Sequence, residues 1–87
     1  MQPKFPIQTT KQLGEVVRAT RKWQHLRQDE VGRFSHTFIG EVESGKPTAQ
    51  IGKVLEALRE LGIKLHVELP AGMASQLLEE KLRAFAR

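Results

Sequence analysis

The fold is decided by SHTFIGEVESGKPT, residues 35–48, which has the pattern of a short capped helix and its exit turn. Ser35 is a favoured N-cap because its hydroxyl accepts a hydrogen bond from a free amide of the first helical turn. Gly45 and Pro47 end the helix, since glycine adopts the left-handed geometry that follows a helix and proline cannot continue one. The helix has one apolar face, formed by Phe38, Ile39 and Val42.

Part of this stretch, residues 40–46, also matches the G-x-x-x-x-G-K pattern of a phosphate-binding loop, with Pro47 where such a loop has Ser or Thr. Such a loop follows a buried strand, its amides surround phosphates and its terminal hydroxyl binds magnesium. Here Gly40 lies within a helical pattern, and Glu41 and Glu43 would repel phosphate. The segment therefore does not predict nucleotide binding.

Two helical segments precede the stretch. Residues 9–26 begin with Thr9 and Gln12 at the spacing of a capping box and predict an amphipathic first helix. Its apolar face consists of Leu13, Val16, Val17 and Thr20, with Trp23 beside them. Residues 27–34, RQDEVGRF, predict a short second helix with Val31 and Phe34 on its inner face.

After the stretch, residues 49–61 predict another helix, which Thr48 caps and Gly62 ends. Its apolar stripe comprises Ile51, Val54, Leu55, Leu58 and Leu61. The period then changes to two over residues 63–70, which predicts a strand with Ile63, Leu65, Val67 and Leu69 on one face. A lone strand needs a ladder partner. The same strand of a second copy is the simpler partner, and the short PKFPI segment, residues 3–7, is the alternative.

The expected fold is therefore mainly α: four to five helices, one strand that pairs across a homodimer, and a C-terminal amphipathic helix or tail. Residues 1–9 form an N-terminal arm, and residues 71–87 contain the last helical pattern. That pattern has an apolar face made of Leu77, Leu78, Leu82 and Phe85. A chain of 87 residues buries a small core, so a second copy would add to its stability.

The composition argues against several classes of protein. The chain has no cysteine, and its three histidines (His25, His36, His66) are scattered, so neither disulfides nor a metal site is predicted. No Ser, His and Asp set has telling spacing, and we expect neither catalysis nor a cofactor. No apolar run reaches the roughly 18 residues that cross a membrane. We expect a cytoplasmic protein.

The charge distribution favours a polyanionic partner. The net charge is +4, and residues 1–34 carry seven of the 14 basic side chains but three of the 10 acidic ones. DNA is such a partner, although an ordinary solubilising surface accounts for the charge equally well. Two helices joined by a tight turn would leave the outer face of the helix at 36–44 free to enter a major groove. His36 and Thr37 would then point at base edges, with Glu41 one turn further on, and Arg27 and Gln28 would meet phosphate.

The segments LRQDEV and SHTFIGEVESGKPT, with the Gly62 stop, resemble the helix-turn-helix domain of the Xre/Cro repressors. GKPTAQIGKVLEALRELGIKLHVEL resembles the HipB branch, the DNA-binding antitoxins of HipA-type kinase toxins. The resemblance covers roughly residues 10–69 and implies a DNA-binding domain at 10–62 and a dimerisation strand at 63–70. It also implies binding of double-stranded operator DNA as a homodimer, a complex with the kinase and repression of the shared operon.

The resemblance assigns the phosphate-facing positions as well. Besides Arg27, they are Gln28, Ser35, Ser44, Lys46 and Thr48. The chain departs from the family in that Gln28 and Ser35 are closer by about three residues, nearly a helical turn. The acidic Glu41 is also unusual at a position that faces DNA, although it can accept a hydrogen bond from cytosine N4.

Other interpretations of these residues lead to different expectations. A protein-interaction adaptor that has lost DNA binding is the alternative function. Trp23 and Phe38 are expected to pack in the core or a dimer rather than to stack on bases. The basic residues Arg18, Arg21 and Lys22 lie off the apolar stripe, where a solvated surface and a phosphate or partner contact are both open. Gly52 is expected to mark close packing beneath its helix, and a contact with the toxin is the alternative that helical spacing does not separate from it.

Overall fold

A computed structural model describes residues 2–85 of the chain. Its helices are α1 (Thr10–Trp23), α2 (His36–Ser44), α3 (Ile51–Glu60) and α4 (Gln76–Arg83), and a 3-10 turn (Gln28–Glu30) lies between α1 and α2. Among these residues no helix is both long and apolar enough to cross a membrane. The architecture is therefore mainly α, as the sequence predicts.

The predicted helix ends are confirmed where they depend on local chemistry. At the start of α1, Thr9 Oγ1 accepts a hydrogen bond from the Gln12 amide at 3.0 Å, and Gln12 Oε1 accepts one from the Thr9 amide at 3.1 Å. Ser35 Oγ accepts from the Phe38 amide at 3.1 Å and starts α2. Gly45 ends α2 in the left-handed region, with φ 84°. Each of these caps involves residues no more than four positions apart.

The predicted second helix is wrong, because only the 3-10 turn forms within residues 27–34. The Arg27 amide donates to Glu30 Oε1 at 2.7 Å, which closes the turn. Val31 then adopts an extended conformation and is buried in the core. Gly32 follows in the left-handed region, with φ 52°. The short connection leads Val31 inward and leaves no length for another helical turn.

The start of α3 also differs from the prediction, since the helix begins at Ile51 and Thr48 does not cap it. Residues 46–49 form a turn instead, in which the Ala49 amide donates to the Lys46 carbonyl at 3.3 Å. Pro47 favours such a turn because its φ is already fixed near the required value. The stop at Gly62 is confirmed by its φ of 78°.

A small apolar core joins α1, α2 and α3. It comprises Val17, Val31, Ile39, Val42, Val54, Ala57, Leu58 and Leu61. Trp23 is expected to pack in the core or in a dimer, and the core position is wrong because 78% of this residue is exposed. Ile51 and Leu55 are exposed as well, although they belong to the predicted apolar stripe of α3. The chain thus leaves apolar surface uncovered on α3.

The helices α1 and α2 approach each other closely at Gly14. A Cβ at this position would lie 2.5 Å from the carbonyl oxygens of both Val42 and Glu43. Thr10 Oγ1 also donates to the Gly45 carbonyl at 2.8 Å, so the start of α1 is tied to the end of α2. Gly52, in contrast, has nothing within 4 Å of its would-be Cβ. The expectation of close packing at Gly52 is therefore wrong, and Gly14 has that role.

A buried ion pair links α1 to α2. Arg21 Nε lies 2.6 Å from Glu43 Oε2, and Arg21 Nη2 lies 3.1 Å from Glu43 Oε1. Arg21 Nη1 also donates to the Leu26 carbonyl at 2.8 Å, and Gln28 Nε2 donates to Glu43 Oε1 at 3.1 Å. The surface role expected for Arg21 is wrong. It lies on the buried face of α1, at helical spacing from Gly14 and Val17.

The environment of the pair changes both pKa values. Burial raises the pKa of Glu43, but hydrogen bonds from Arg21 and Gln28 and the charges of Arg21 and Arg18 outweigh burial and leave it below its ordinary value. The hydrogen bond to Glu43 raises the pKa of Arg21. Because the folded-state pKa of Glu43 is lowered, the pair stabilises the fold above the ordinary carboxyl range, and this contribution is lost as the pH falls through the lowered pKa.

The predicted strand at residues 63–70 is not formed, and no strand occurs anywhere in residues 2–85. The PKFPI alternative is wrong for the same reason, since residues 3–7 pair with nothing. A strand requires a ladder partner, and the single chain supplies none. In the last segment α4 covers Gln76–Arg83, a shorter range than the predicted 71–87, and residues 86–87 lie outside the described part. The predicted apolar residues Leu77, Leu82 and Phe85 are exposed.

We predict that Gly14→Ala lowers the free energy of unfolding by about 1–3 kcal/mol, because the methyl group would force α1 away from backbone atoms that cannot rotate aside. Urea unfolding followed by circular dichroism measures this change. Gly52→Ala is the matched control, and there we expect a gain of about 0.5–1 kcal/mol from helix propensity alone. Equal effects of the two substitutions would contradict the close approach at Gly14.

We predict that Arg21→Met lowers the free energy of unfolding near neutral pH by about 3–5 kcal/mol, because Glu43 is left charged and buried without its partner. The deficit should shrink as the pH falls, because without Arg21 burial raises the pKa of Glu43 and the variant loses its buried charge first. The wild type then loses its pair as the pH falls through the lowered pKa of Glu43. Urea unfolding at a series of pH values measures both effects.

The double variant Arg21→Met/Glu43→Leu is the control for this prediction. Removing both charges leaves no unpaired carboxylate, so we expect the double variant to be more stable than Arg21→Met near neutral pH. A double variant as unstable as the single one would show that lost packing, and not an unpaired charge, causes the deficit.

Candidate nucleic-acid interface

The two sides of α2 have different environments. Ile39, Val42 and Glu43 are buried against the rest of the domain. On the other side His36, Thr37 and Ser44 are exposed and Glu41 is half-buried. Because Thr37, Glu41 and Ser44 are four and three residues apart, they form a single stripe along the outer face of the helix. The residues predicted to face bases therefore lie on the face of α2 that the domain leaves open.

Glu41 is paired with Lys46. Lys46 Nζ lies 2.6 Å from Glu41 Oε2, and 45% of the lysine side chain and 40% of the glutamate side chain remain exposed. The Lys46 amide also donates to the Glu41 carbonyl at 3.0 Å in the turn that ends α2. One predicted phosphate contact and one predicted base contact are thus bound to each other in the free chain.

The predicted phosphate contacts before α2 have partners within the chain too. Arg27 is exposed, and its Nε lies 3.1 Å from Asp29 Oδ1 and 3.8 Å from Glu30 Oε1. The hydrogen bond with Asp29, followed by the charges of Asp29 and Glu30, raises the pKa of Arg27. Gln28 is half-buried and donates to Glu43. The Gln28 side chain lies beside Gly40, since its Oε1 is 3.5 Å from the position of a Cβ there.

The remaining predicted contacts lie at the two ends of α2. Ser35 is exposed at the N-terminal end, where it serves as the cap. Ser44 Oγ donates to the Glu41 carbonyl at 2.9 Å, and Thr48 is exposed in the following turn. Ser44, Lys46 and Thr48 therefore surround the exit of α2, where cations complement the negative end of the helix dipole.

Sequence reasoning missed two contributors to this region. Lys11 lies against the exit turn, because its Cγ is 2.6 Å from the position of a Cβ on Gly45. Only the basic excess of the first third of the sequence points to this lysine. The sequence pattern gives Glu43 no role in the fold, but this residue fixes α2 through Arg21. Its position next to the buried Val42, two residues before the stop at Gly45, is the signal that could have identified it.

A shallow cleft of about 450 Å³ lies between the start of α2 and α3. Phe34 and Phe38 stack on its wall with their ring centroids 5.3 Å apart, and Lys53 Nζ lies 6.0 Å from the centre of the Phe38 ring. Both rings pack against the core, which confirms the expected packing role of Phe38. Within residues 2–85, no three His, Asp or Glu side chains are grouped so that they could hold a metal ion.

The chain resembles known proteins in sequence and in fold. No protein-family profile matches it. It is 46% identical over 67 residues to the uncharacterized HTH-type transcriptional regulator y4mF of Sinorhizobium fredii, and the match covers 74% of this chain and 88% of that protein. Its structure matches a chain from the HipB–O4 20mer complex with a TM-score of 0.68 and 15% sequence identity, over 78% of this chain and 99% of that chain.

The sequence match confirms the helix-turn-helix regulator family that the motifs suggest, and the structural match confirms the fold. The identity to y4mF extends over most of both proteins, and the fold match covers nearly all of the HipB chain. The chain therefore belongs to the HTH-type transcriptional regulators, and it has a HipB-like helix-turn-helix fold.

Proposed function

We propose that the protein is a sequence-specific DNA-binding repressor that binds its operator as a homodimer. In this proposal residues 10–62 form the DNA-binding domain, residues 63–70 join the two copies, and residues 1–9 and 71–87 are an arm and a tail. The protein works in the cytoplasm at the nucleoid, without a cofactor. We further propose that it is the antitoxin of a HipA-type kinase toxin and represses the operon that encodes both.

The outer face of α2 supports the DNA-binding part of the proposal. The buried Arg21–Glu43 pair fixes this helix, while His36, Thr37 and Glu41 remain on its open side. In helix-turn-helix proteins such a face enters the major groove, where side chains bind base edges. The basic residues around the exit of α2 would contact phosphates and make the affinity depend on salt. The observation that best supports DNA binding is that α2 is held in place while its polar outer face remains open.

The exposed apolar residues support a homodimer. In the single chain 80% of Val67 and 55% of Leu65 are exposed, and Ile51 and Leu55 add apolar surface on α3. A groove of about 460 Å³ beside α3 is lined in part by Leu55, Ile63 and Leu65. Antiparallel pairing of residues 63–70 with a second copy would satisfy their backbone groups and cover this surface.

The antitoxin role is supported by the HipB-like fold and by the HipB-like motifs of residues 45–69. A pull-down with the product of the neighbouring gene, followed by a kinase assay, tests this role. Inhibition of a neighbouring kinase would support it, and a neighbouring gene that encodes no kinase would count against it.

A protein-interaction adaptor is the second candidate function. The 3-10 turn in place of a full second helix favours it, because this element normally crosses the DNA backbone in helix-turn-helix proteins. Trp23, which is exposed at the end of α1, would suit a protein partner. Weak DNA binding with a flat salt response, together with tight binding to a neighbouring gene product, would favour the adaptor.

We predict that the protein binds the DNA upstream of its own gene more tightly than random DNA, and that Thr37→Ala removes about 1–3 kcal/mol of this preference by loss of a base contact. Fluorescence polarisation with both DNAs at one salt concentration measures the difference. Thr37→Ala should leave the affinity for random DNA unchanged. Equal wild-type affinity for the two DNAs would refute the repressor proposal.

We predict that Val67→Asp converts the dimer to a monomer, because it places a charge within the proposed sheet face while the single chain already exposes this position. Sedimentation velocity should give a mass near the 9.9 kDa of one chain for the variant and about twice this value for the wild type. His66→Asp, on the opposite face of the alternating pattern, should remain dimeric. A monomeric wild type at micromolar concentration would exclude the proposed sheet.

A further inference from the structure

The ion pair between Glu41 and Lys46 is out of place on a surface proposed to bind DNA. A carboxylate near phosphates is repelled, and a lysine bound to a carboxylate is not free to contact phosphate. In this chain Lys46 Nζ and Glu41 Oε2 lie 2.6 Å apart on the outer side of α2. The two unfavourable features therefore occur together and compensate each other.

The backbone keeps the two residues together. The Lys46 amide donates to the Glu41 carbonyl, and the Gly45 amide donates to the Val42 carbonyl at 3.0 Å, so the exit turn of α2 is closed by two hydrogen bonds. Ser44 Oγ also donates to the Glu41 carbonyl. Since the backbone of Lys46 is held beside Glu41, only the lysine side chain has to rotate for the ion pair to open.

The pair is also easy to exchange. Both side chains are slightly more than half buried, and an ion pair at such a surface contributes little to stability. The buried Arg21–Glu43 pair, on the opposite side of the same helix, has no such freedom. DNA can therefore separate Glu41 from Lys46 and contact both side chains without disturbing the fold.

An exchange needs new partners for both charges. A phosphate can take Lys46, but Glu41 then needs a hydrogen-bond donor. In the major groove the base donors are the amino groups of cytosine N4 and adenine N6. Glu pairs with cytosine N4, whereas adenine also presents its N7 acceptor, and guanine O6 and thymine O4 are acceptors that would repel the carboxylate. Moving Lys46 from Glu41 to a phosphate therefore costs the least free energy when cytosine lies opposite Glu41.

We propose that Glu41 and Lys46 form an exchangeable pair, in which the phosphate contact of Lys46 depends on a base amino group, preferably cytosine N4, opposite Glu41. This inference rests on the proposed DNA binding by α2. It makes Glu41 a specificity-determining residue and couples one base contact to one backbone contact. On random DNA the pair stays closed, and Lys46 adds little to the affinity.

Selection from random-sequence DNA tests the proposal, with the full chain and the variants Glu41→Gln, Lys46→Gln and both together. The wild type should select one position at which cytosine is favoured. Glu41→Gln should lose this preference by about tenfold and keep the preferences at other positions. On random DNA, the slope of log K against log salt concentration should be steeper by about one unit for Glu41→Gln than for the wild type, because Lys46 is then free to contact phosphate.

The double variant distinguishes coupling from two independent contacts. On the selected DNA, Lys46→Gln keeps the contact between Glu41 and cytosine but loses the phosphate contact, so we expect it to bind several-fold more weakly than the wild type. Each single substitution also removes the cost of opening the pair, and the double variant removes this cost only once, so its loss of affinity for the selected DNA should exceed the product of the two single losses. Glu79→Gln, which removes a charge from exposed α4, is the matched control and should keep every base preference.

Three outcomes would overturn the inference. The first is a Glu41→Gln variant with the same base preferences as the wild type. The second is a double variant whose loss of affinity is the product of the two single losses. The third is a wild type that selects no sequence at all, which would also overturn the proposed function and is recognised by the absence of any consensus. Circular dichroism of each variant verifies the fold, and Glu41→Gln alone decides the matter if Lys46→Gln unfolds.

Discussion

The ion pair between Arg21 and Glu43 is the interaction on which the rest of the structure depends. It connects α1 to α2. Arg21 also donates to the Leu26 carbonyl, and Glu43 accepts from the side-chain amide of Gln28. In residues 2–85 no buried side-chain nitrogen or oxygen atom lacks a hydrogen-bond partner, so the cluster is complete. Since an incomplete buried ion pair is strongly destabilising, the cluster admits only a narrow range of positions for α2. It also anchors the 3-10 turn that replaces a full helix.

This constraint matters because the core of the chain is small. Eight buried apolar residues join the three helices, and several large apolar side chains remain at the surface. A core of this size tolerates many small shifts of one helix against another. The pair and the close approach at Gly14 remove this tolerance along α1 and α2. The orientation of the outer face of α2 thus follows from two specific contacts more than from the amount of buried surface.

The sequence predicted those features that depend on neighbouring residues. The caps at Thr9 and Ser35 and the stops at Gly45 and Gly62 involve chemistry within a few positions, and each is present. The outer face of α2 also follows from the helical period of its sequence. Apart from the Thr48 cap, which a local turn at residues 46–49 replaces, the predictions that are wrong depend on contacts between distant segments. The sequence does not show that Arg21 has a buried partner in Glu43. It also does not show that another helix packs against Gly14 and none against Gly52.

The single chain lacks the strand at residues 63–70 and a full second helix for different reasons. The alternating pattern describes a surface that would fit a sheet, but a sheet needs a partner that the single chain does not contain. A full second helix does not form because Val31 is buried in the core. The acidic residues at the start of this segment are typical of a helix start and do not indicate that burial. The first difference concerns assembly and the second concerns packing, and the period of the sequence alone detects neither.

The two acidic residues of α2 show how one helix can be both fixed and responsive. Glu41 and Glu43 are two positions apart and therefore point to opposite sides of the helix. Glu43 is buried with an arginine, whose guanidinium binds both carboxylate oxygens, and separating this pair would cost about 3–5 kcal/mol. Glu41 is half-exposed with a lysine, a flexible point charge whose separation costs about 1 kcal/mol or less. A phosphate that approaches α2 can therefore compete for the lysine but not for the arginine, so binding changes the outer pair while the inner pair keeps the helix in place.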